Sequence, residues 1–268
     1  MQTEGVLLVA KLLLTPTIVV LATLAGRRFG RIAAGWLIGL PLTSGPIAAF
    51  FAVEHGTRFA ARGAVGSLGG AIAEVAFCVG YAAASRRARW PAAVAVGSAC
   101  FAATAALLEA LPLDARPGIV VGLGTIAALS LVGGLVLVPH VPRPTDPPER
   151  LPSRWDVPAR AVVATVFLLA LTALATTFGP RLSGLLAVYP LYTVVLAAFA
   201  HRLEGPAGAV QVLRGLLVGL FSFVCFYSTL SLSLVDAGIG PAFVLAFAVA
   251  LTVQALSLRP LLRLAAAA

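Results

Sequence analysis

The chain has 268 residues, 60% of them hydrophobic and 11% charged, with a formal net charge of +9 and a mean hydropathy of +1.01. Soluble domains carry roughly a quarter charged residues, so this composition excludes a water-facing surface and makes the bilayer the solvent. The positive charge does not imply a nucleic-acid partner, because the arginines fall between apolar runs, where topology determinants fall.

In hydrocarbon only helices and closed barrels satisfy every backbone polar group. The apolar runs lack the period-two alternation of barrel strands, so the expectation is an all-α polytopic membrane protein. A spanning helix needs about 20 mainly apolar residues. Nine spans are predicted, at 6–25, 33–53, 63–84, 92–111, 118–138, 161–178, 183–200, 207–234 and 241–258. The first run has no basic segment before it and no A-x-A cleavage pattern, which reads as a retained helix rather than a signal peptide. Span two carries Pro41, Thr43, Ser44 and Pro46 at its centre. Span three is rich in glycine (Gly63, Gly66, Gly69, Gly70), allowing close helix approach, and holds Glu74 at mid-depth. The segment from Pro139 to Arg160 is rich in proline and charge and reads as an extended linker. Span seven carries Tyr189, Pro190, Tyr192 and Thr193; span eight carries Arg214, Gly215, Gly219, Ser222 and Tyr227.

A shift of 149 residues aligns the two halves without a gap. Phe29-Gly30 meets Phe178-Gly179, Pro41-Leu42 meets Pro190-Leu191, and Gly56, Gly66 and Gly70 meet Gly205, Gly215 and Gly219. Phe77 meets Phe226, and Lys11 meets Arg160. Matched glycine and proline carry weight because each sets a backbone feature. Span one then corresponds to span six, and an odd offset reverses orientation. The expected organisation is 4+1+4: a first four-helix repeat (1–112), a connecting transmembrane helix (113–139), a linker (140–160), and a second, inverted repeat (161–268). In this layout Arg27, Arg28, Arg31, Arg86, Arg87, Arg89, Arg143, Arg150, Arg154, Arg160, Arg202, Arg259 and Arg263 share one side. Only Arg58, Arg62, Arg116 and Arg181 fall on the other. The positive-inside rule then places the chain in the cytoplasmic (inner) membrane with its N-terminus outside and its C-terminus cytoplasmic.

The layout resembles fused small multidrug exporters and fluoride channels in architecture alone, since the GN-x-x-G pattern of fluoride channels is absent. The runs AGWLIGLPLTSGPIAAFFAVEHG (34–56) and SGLLAVYPLYTVVLAAFAHRLEG (183–205) share a central proline, a polar turn with an acid and glycine, and a following small-residue helix. They resemble GlpM-like small bacterial inner-membrane proteins, which implies that a short unit was duplicated.

Corresponding proline-interrupted spans in inverted halves point to a binding site at the repeat interface. Non-helical backbone at that depth is tolerated only where it is buried in protein or lines a cavity. The candidate substrate-binding residues are therefore Pro41, Thr43, Ser44, Pro46, Glu74, Tyr189, Pro190, Tyr192, Thr193, Ser222 and Tyr227. Simple packing kinks are the alternative for the prolines. A charge at the position of Glu74 costs roughly 2.5–3.5 kcal/mol on insertion scales, so the carboxyl is expected to be neutral, paired or hydrated. It either couples an ion or hydrogen-bonds a neighbouring helix. Lys11 and Arg214 have stems long enough to snorkel; binding an anion or pairing with Glu74 is the sharper reading. The polar turns holding His55 and those holding His201 and Glu204 are gates or solvated caps. Glu109 is placed at the interface.

Cys78, Cys100 and Cys225 all lie in apolar runs without CxxC or Cys/His spacing, so neither a disulfide framework, a metal site nor a cofactor is expected. No acid pair or nucleophile–base pair lies in or beside a span, which argues against an enzyme. The expected activity is that of a small secondary transporter or channel for a small solute, ion or lipid-linked substrate. Its partners are the lipid bilayer and that substrate, and a homo-oligomer is compatible with the sequence. A non-transporting scaffold or accessory subunit is the alternative.

Overall fold

The computed structural model describes residues 2–42, 44–111, 115–139, 155–178 and 189–266. Among them the chain is all-helical: α1 (Gln2–Phe29), α2 (Arg31–Ile38), α3 (Ser44–His55), α4 (Thr57–Ser85), α5 (Trp90–Glu109), α6 (Pro117–Leu137), α7 (Asp156–Phe178), α8 (Leu191–Ala237) and α9 (Ile239–Ala266). Five of these are long and apolar enough to cross a membrane: α4, α5, α6, α8 and the 239–258 part of α9. Their outward faces are apolar, with Val136 77% and Val244 71% exposed. A soluble protein would not expose so many large apolar side chains, whereas lipid accepts them.

Helix breaks coincide with residues that cannot continue a helix. Span two divides into α2 and α3 around Gly39–Pro41, where proline removes a donor. Spans seven and eight form one 47-residue element, α8, whose arms 191–204 and 206–237 meet at Gly205 (φ 74°), followed by Pro206. Gly56, between α3 and α4, has φ 85°. The residues at positions 56 and 205 thus make the same left-handed turn, open to glycine without steric cost.

The centre of the fold is α4 packed on the second arm of α8. Ser231 donates to the Ala61 carbonyl at 3.1 Å, and Ser67 meets Tyr227, so the two helices run antiparallel. Phe77 is fully buried against Gly97 of α5, and Phe226 is fully buried against Phe243 and Phe247 of α9. α6 packs on both central helices, its Gly134 facing Val75 of α4 and Leu217 of α8. α1 pairs with α7, also antiparallel, since Arg27 reaches Asp156 while Val19 clusters with Ala164. α2 lies in a groove of α8, where Gly35 and Gly39 cross Gly215 and Gly219 at backbone contact.

The expected linker (140–160) ends earlier than the sequence indicates, because α7 already begins at Asp156. Pro158 falls in the first turn, where its missing donor costs nothing. Asp156 then pairs with Arg160 one turn later at 3.1 Å. Residues 140–154 lie outside the described residues.

Candidate functional site

The break between α2 and α3 is held open by specific partners. In a continuous helix the Leu40 amide would bond the Trp36 carbonyl; here it turns to Leu37 at 3.3 Å. The Gln254 side chain of α9 supplies the missing donor, reaching the Trp36 carbonyl at 2.9 Å, while the Trp36 indole donates to Ser257 at 2.8 Å. On the far side of the break, Gly45 donates to the Pro41 carbonyl at 3.0 Å and α3 starts at Ser44. Of this non-helical stretch Gly39, against Gly219 of α8, and Pro41 are buried, while Leu42 is exposed.

Ser44 meets the Tyr227 hydroxyl, which also meets Ser67 of α4. Ser67 in turn donates to the Gly63 carbonyl at 3.3 Å. Two of the sequence-predicted residues, Ser44 and Tyr227, are therefore brought together, with Ser67 as an unforeseen third. Pro46 is half-buried beside them in α3. Ser222 is not part of this group; it is fully buried and donates to the Gly219 carbonyl of its own helix at 2.8 Å. Thr43 lies outside the described residues.

Tyr189 and Pro190 lie just before α8, with Pro190 at its N-cap; residues 179–188, where span seven is expected to begin, lie outside the described residues. Tyr189 and Ser98 of α5 share a hydrogen bond of 2.6 Å, and the Tyr189 ring sits edge-on to Phe101 and Phe167. Thr193 is buried, and Tyr192 packs beside Val19, Ala164 and Val195. Ser98 carries no sequence signal that separates it from other small residues of α5.

Glu74 lies on α4 between these two groups. It is half-buried, and among the described residues no hydrogen bond or ion pair to it forms. It does not pair with Arg214.

Arg214 corrects the preferred snorkelling expectation. Its guanidinium is buried and donates to the carbonyls of Leu135, at 3.0 Å, and Val138. The last carbonyls of a helix have no donors of their own and form the negative end of its dipole, so Arg214 caps α6 instead of reaching for water. The side chain of Lys11 lies outside the described residues, though its backbone is within α1.

The polar turns differ from each other. Glu204 forms an ion pair with Arg31, through Nε at 2.8 and 2.9 Å to its two carboxylate oxygens and through Nη2, tying the first arm of α8 to α2. His201 is buried, with Nδ1 3.2 Å from the Tyr81 hydroxyl of α4. These contacts make the 201–205 turn a packed junction, not a solvated cap. His55, by contrast, is exposed and stacks on Phe59 at 4.8 Å between ring centroids.

A cluster that sequence reading missed sits beside this junction. Asp156 takes Arg27 and Arg160, each at 3.1 Å, and Arg160 is 1% exposed with Phe199 under its guanidinium at 4.9 Å. The acid four residues before Arg160 was the available signal. Glu109, at the end of α5, is exposed.

No protein-family model, curated protein or solved structure matches this chain.

Proposed function

We propose that this chain is a small secondary transporter or channel of the cytoplasmic membrane, built as 4+1+4 inverted repeats, which moves a small solute, ion or lipid-linked substrate through a mid-depth site between the two broken helices. The observation that supports the reading most is the helix break at 39–42, whose Pro41 is matched by Pro190 at the N-cap of α8, together with a carboxyl to which no described side chain bonds. Breaks of this kind at matched places in inverted halves mark binding sites, and an intramembrane acid marks an ion or substrate path.

The inverted duplication draws support from four pairs of features 149 residues apart. Gly56 and Gly205 make the same turn. Phe77 and Phe226 fill equivalent positions against α5 and α9. The pairs α1 with α7, and α4 with the second arm of α8, are mates in the alignment and run antiparallel. A two-fold axis in the membrane plane requires that of any mates that touch. The resemblance of 34–56 and 183–205 to GlpM-like proteins adds the idea of a short duplicated unit. On this reading the arginine-rich side is cytoplasmic, with the N-terminus outside.

Two experiments test the proposal. Single cysteines at positions 58 and 207, in a chain lacking Cys78, Cys100 and Cys225, are expected to react from opposite sides of the membrane; labelling from one side removes the inverted repeat. Proteoliposomes assayed with a panel of monovalent ions and small osmolytes are expected to show a flux that Glu74→Gln reduces at least tenfold. Equal flux in wild type and variant removes Glu74 from the path, and no flux above protein-free liposomes removes transport.

A further inference from the structure

We infer that protons reach Glu74 from the arginine-rich end of the bundle through the Tyr81–His201 contact, so that the proton is the ion this site binds and releases. The inference deepens the transport reading by naming the coupled ion, and it rests on that reading for its purpose but not for its chemistry.

Ser67, Glu74 and Tyr81 are spaced by seven residues on α4. Seven residues turn a helix by about 700°, which brings the side chains back to one face, and rise about 10 Å. Contacts at both ends show where this face points. Ser67 meets Tyr227 of the second arm of α8 and, through it, Ser44 of the first break; Tyr81 meets His201 of the first arm. Glu74 stands between them on the same stripe, half-buried and without a partner among the described residues.

The other half of the chain shows that the fold does not require this polarity. At the positions 149 residues away, Ser67 is matched by Leu216, Glu74 by Phe223, Tyr81 by Leu230 and His201 by Ala52. All four replacements are apolar. The equivalent helix, the second arm of α8, packs as deeply with a leucine, a phenylalanine and a leucine on its stripe; Leu216 and Leu230 are buried and Phe223 packs on the core. Had the hydroxyls and the carboxyl served helix packing, the mate would need them too. Burying a polar group costs free energy unless it is hydrogen-bonded, so a one-sided polar stripe is kept for another purpose.

Of the ionisable groups on α4 and on the helices packed against it, one that contacts this stripe is an imidazole. On α4 the neighbours are Cys78 and Tyr81; α8 presents Tyr227, Cys225, Arg214 and His201; α5 presents Cys100 and, at its far end, Glu109; α6 presents no ionisable side chain within the helix. An imidazole is the side chain whose ordinary titration lies between pH 5 and 8. His201 itself is flanked by Arg202 and Glu204 on its own helix, Glu204 being held by Arg31, while Arg160 of α7 covers the nearby Phe199 ring. Tyr81 lies one turn before Ser85 and the run Arg86-Arg87-Ala88-Arg89, at the arginine-rich end. A proton taken from water by the imidazole passes to the Tyr81 oxygen as the tyrosine releases its own hydroxyl proton onward. Water carries it the remaining step to the carboxylate, which becomes the neutral acid. No bond other than O–H and N–H forms or breaks, and no co-reactant is needed. At the opposite end the hydroxyls of Ser44, Ser67 and Tyr227 are engaged with one another, and the imidazole there, His55, is exposed and stacks on Phe59 rather than bonding to this stripe.

The test uses the full chain in right-side-out and inverted membrane vesicles. Dicyclohexylcarbodiimide modifies protonated carboxyls in apolar surroundings, and its yield at Glu74 is read by mass spectrometry. The pH is stepped on one face while the other is clamped. Labelling is expected to follow the pH of the arginine-rich face, with Tyr81→Phe and His201→Gln slowing its re-equilibration at least tenfold and Thr125→Val, on the exposed face of α6, leaving it unchanged. Tyr81→Phe keeps the ring and its packing, so a loss there is not a folding defect; a monodisperse elution profile confirms this for each variant. Labelling that follows the other face, that is insensitive to both variants, or that is absent at every pH overturns the inference. A wild type that titrates from the arginine-rich face yet moves no solute overturns the transport reading alone.

Discussion

Substituting alanine at Gly35 and at Gly215 separates backbone packing from every other source of stability in this fold. A methyl at Gly35 would overlap the Val212 carbonyl oxygen and lie 2.7 Å from the Leu216 nitrogen; one at Gly215 would overlap the Ile32 carbonyl oxygen and lie 2.9 Å from the Trp36 nitrogen. Every colliding atom is backbone, so no rotamer change relieves the contact and α2 must move off α8. Overpacking of this kind costs about 3 kcal/mol at the upper end of its usual range. Alanine returns about 1 kcal/mol in helix propensity, leaving a net loss of about 2 kcal/mol for each variant. The two losses are not independent. Once α2 has lifted away from α8 for the first methyl, the second enters the same gap, so the double variant is expected to lose about 2–3 kcal/mol rather than the sum of about 4 kcal/mol. Gly122, around which a methyl meets nothing within 4 Å, is the control, and Gly122→Ala is expected to be neutral or stabilising by up to about 1 kcal/mol. Reversible unfolding in bicelles, followed through the fluorescence of Trp36 beside the crossing, gives the free energies. Wild-type stability for Gly35→Ala, or a fully additive double variant, would refute the argument.

The ion cluster at the start of α7 predicts an asymmetry. Asp156→Asn strips Arg160, 1% exposed, of its carboxylate and is expected to cost about 3–5 kcal/mol, whereas Arg27→Met leaves Asp156 paired with Arg160 and is expected to cost under about 1 kcal/mol. Denaturation of the two variants in parallel checks the ratio. Arg214→Met removes the cap on α6 and leaves buried carbonyls without donors, an expected loss of about 1–3 kcal/mol. Faster amide exchange confined to the last turn of α6 would identify the cause. Gly205→Ala places a side chain at φ 74° and is expected to cost about 1–2 kcal/mol although the space around it is open, and Gly56→Ala is expected to cost a similar amount. Thermal shifts that differ strongly between the two would contradict the equivalence of the turns.

Much of the backbone was legible because glycine and proline act locally. The interruption in span two follows from Pro41 alone, and the turns at Gly56 and Gly205 follow from their alignment. The start of α7 was not legible, since proline near a helix start and proline in an extended linker look alike until Asp156 and Arg160 are seen to pair. Arg214 was misread for a tertiary reason. Whether a long cation reaches water or a carbonyl depends on which helix ends beside it, and the end of α6 lies 76 residues away in sequence from the arginine that caps it. The same holds for Gln254. Its role exists only because the break in α2 frees the Trp36 carbonyl, and nothing in α9 announces that need. Of the candidate site, Ser44 and Tyr227 were found from position and chemistry, while Ser67, Tyr81 and Ser98 look like ordinary members of small or aromatic runs until their partners are placed.

Packing and charge obey different rules in this bundle, and the ion pairs mark where they collide. Packing on the two central helices is alike in places: Phe77 is buried against α5, Phe226 against α9, and α6 packs on both. Charge is distributed differently, because the arginines are concentrated towards one side of the predicted topology. Helix ends on that side must therefore pack together while carrying Arg27, Arg31 and Arg160. Asp156 and Glu204 make this tolerable by pairing with all three. At the corresponding positions of the other half stand Leu7 for Asp156 and His55 for Glu204, with Lys11 for Arg160, so the same carboxylate clamp cannot be built there. The acids thus follow the arginines and not the repeat. By the same reasoning Glu74, with no arginine paired to it among the described residues and Phe223 at the matched position, follows neither pattern, and the proposed transport path supplies a reason for a carboxyl there.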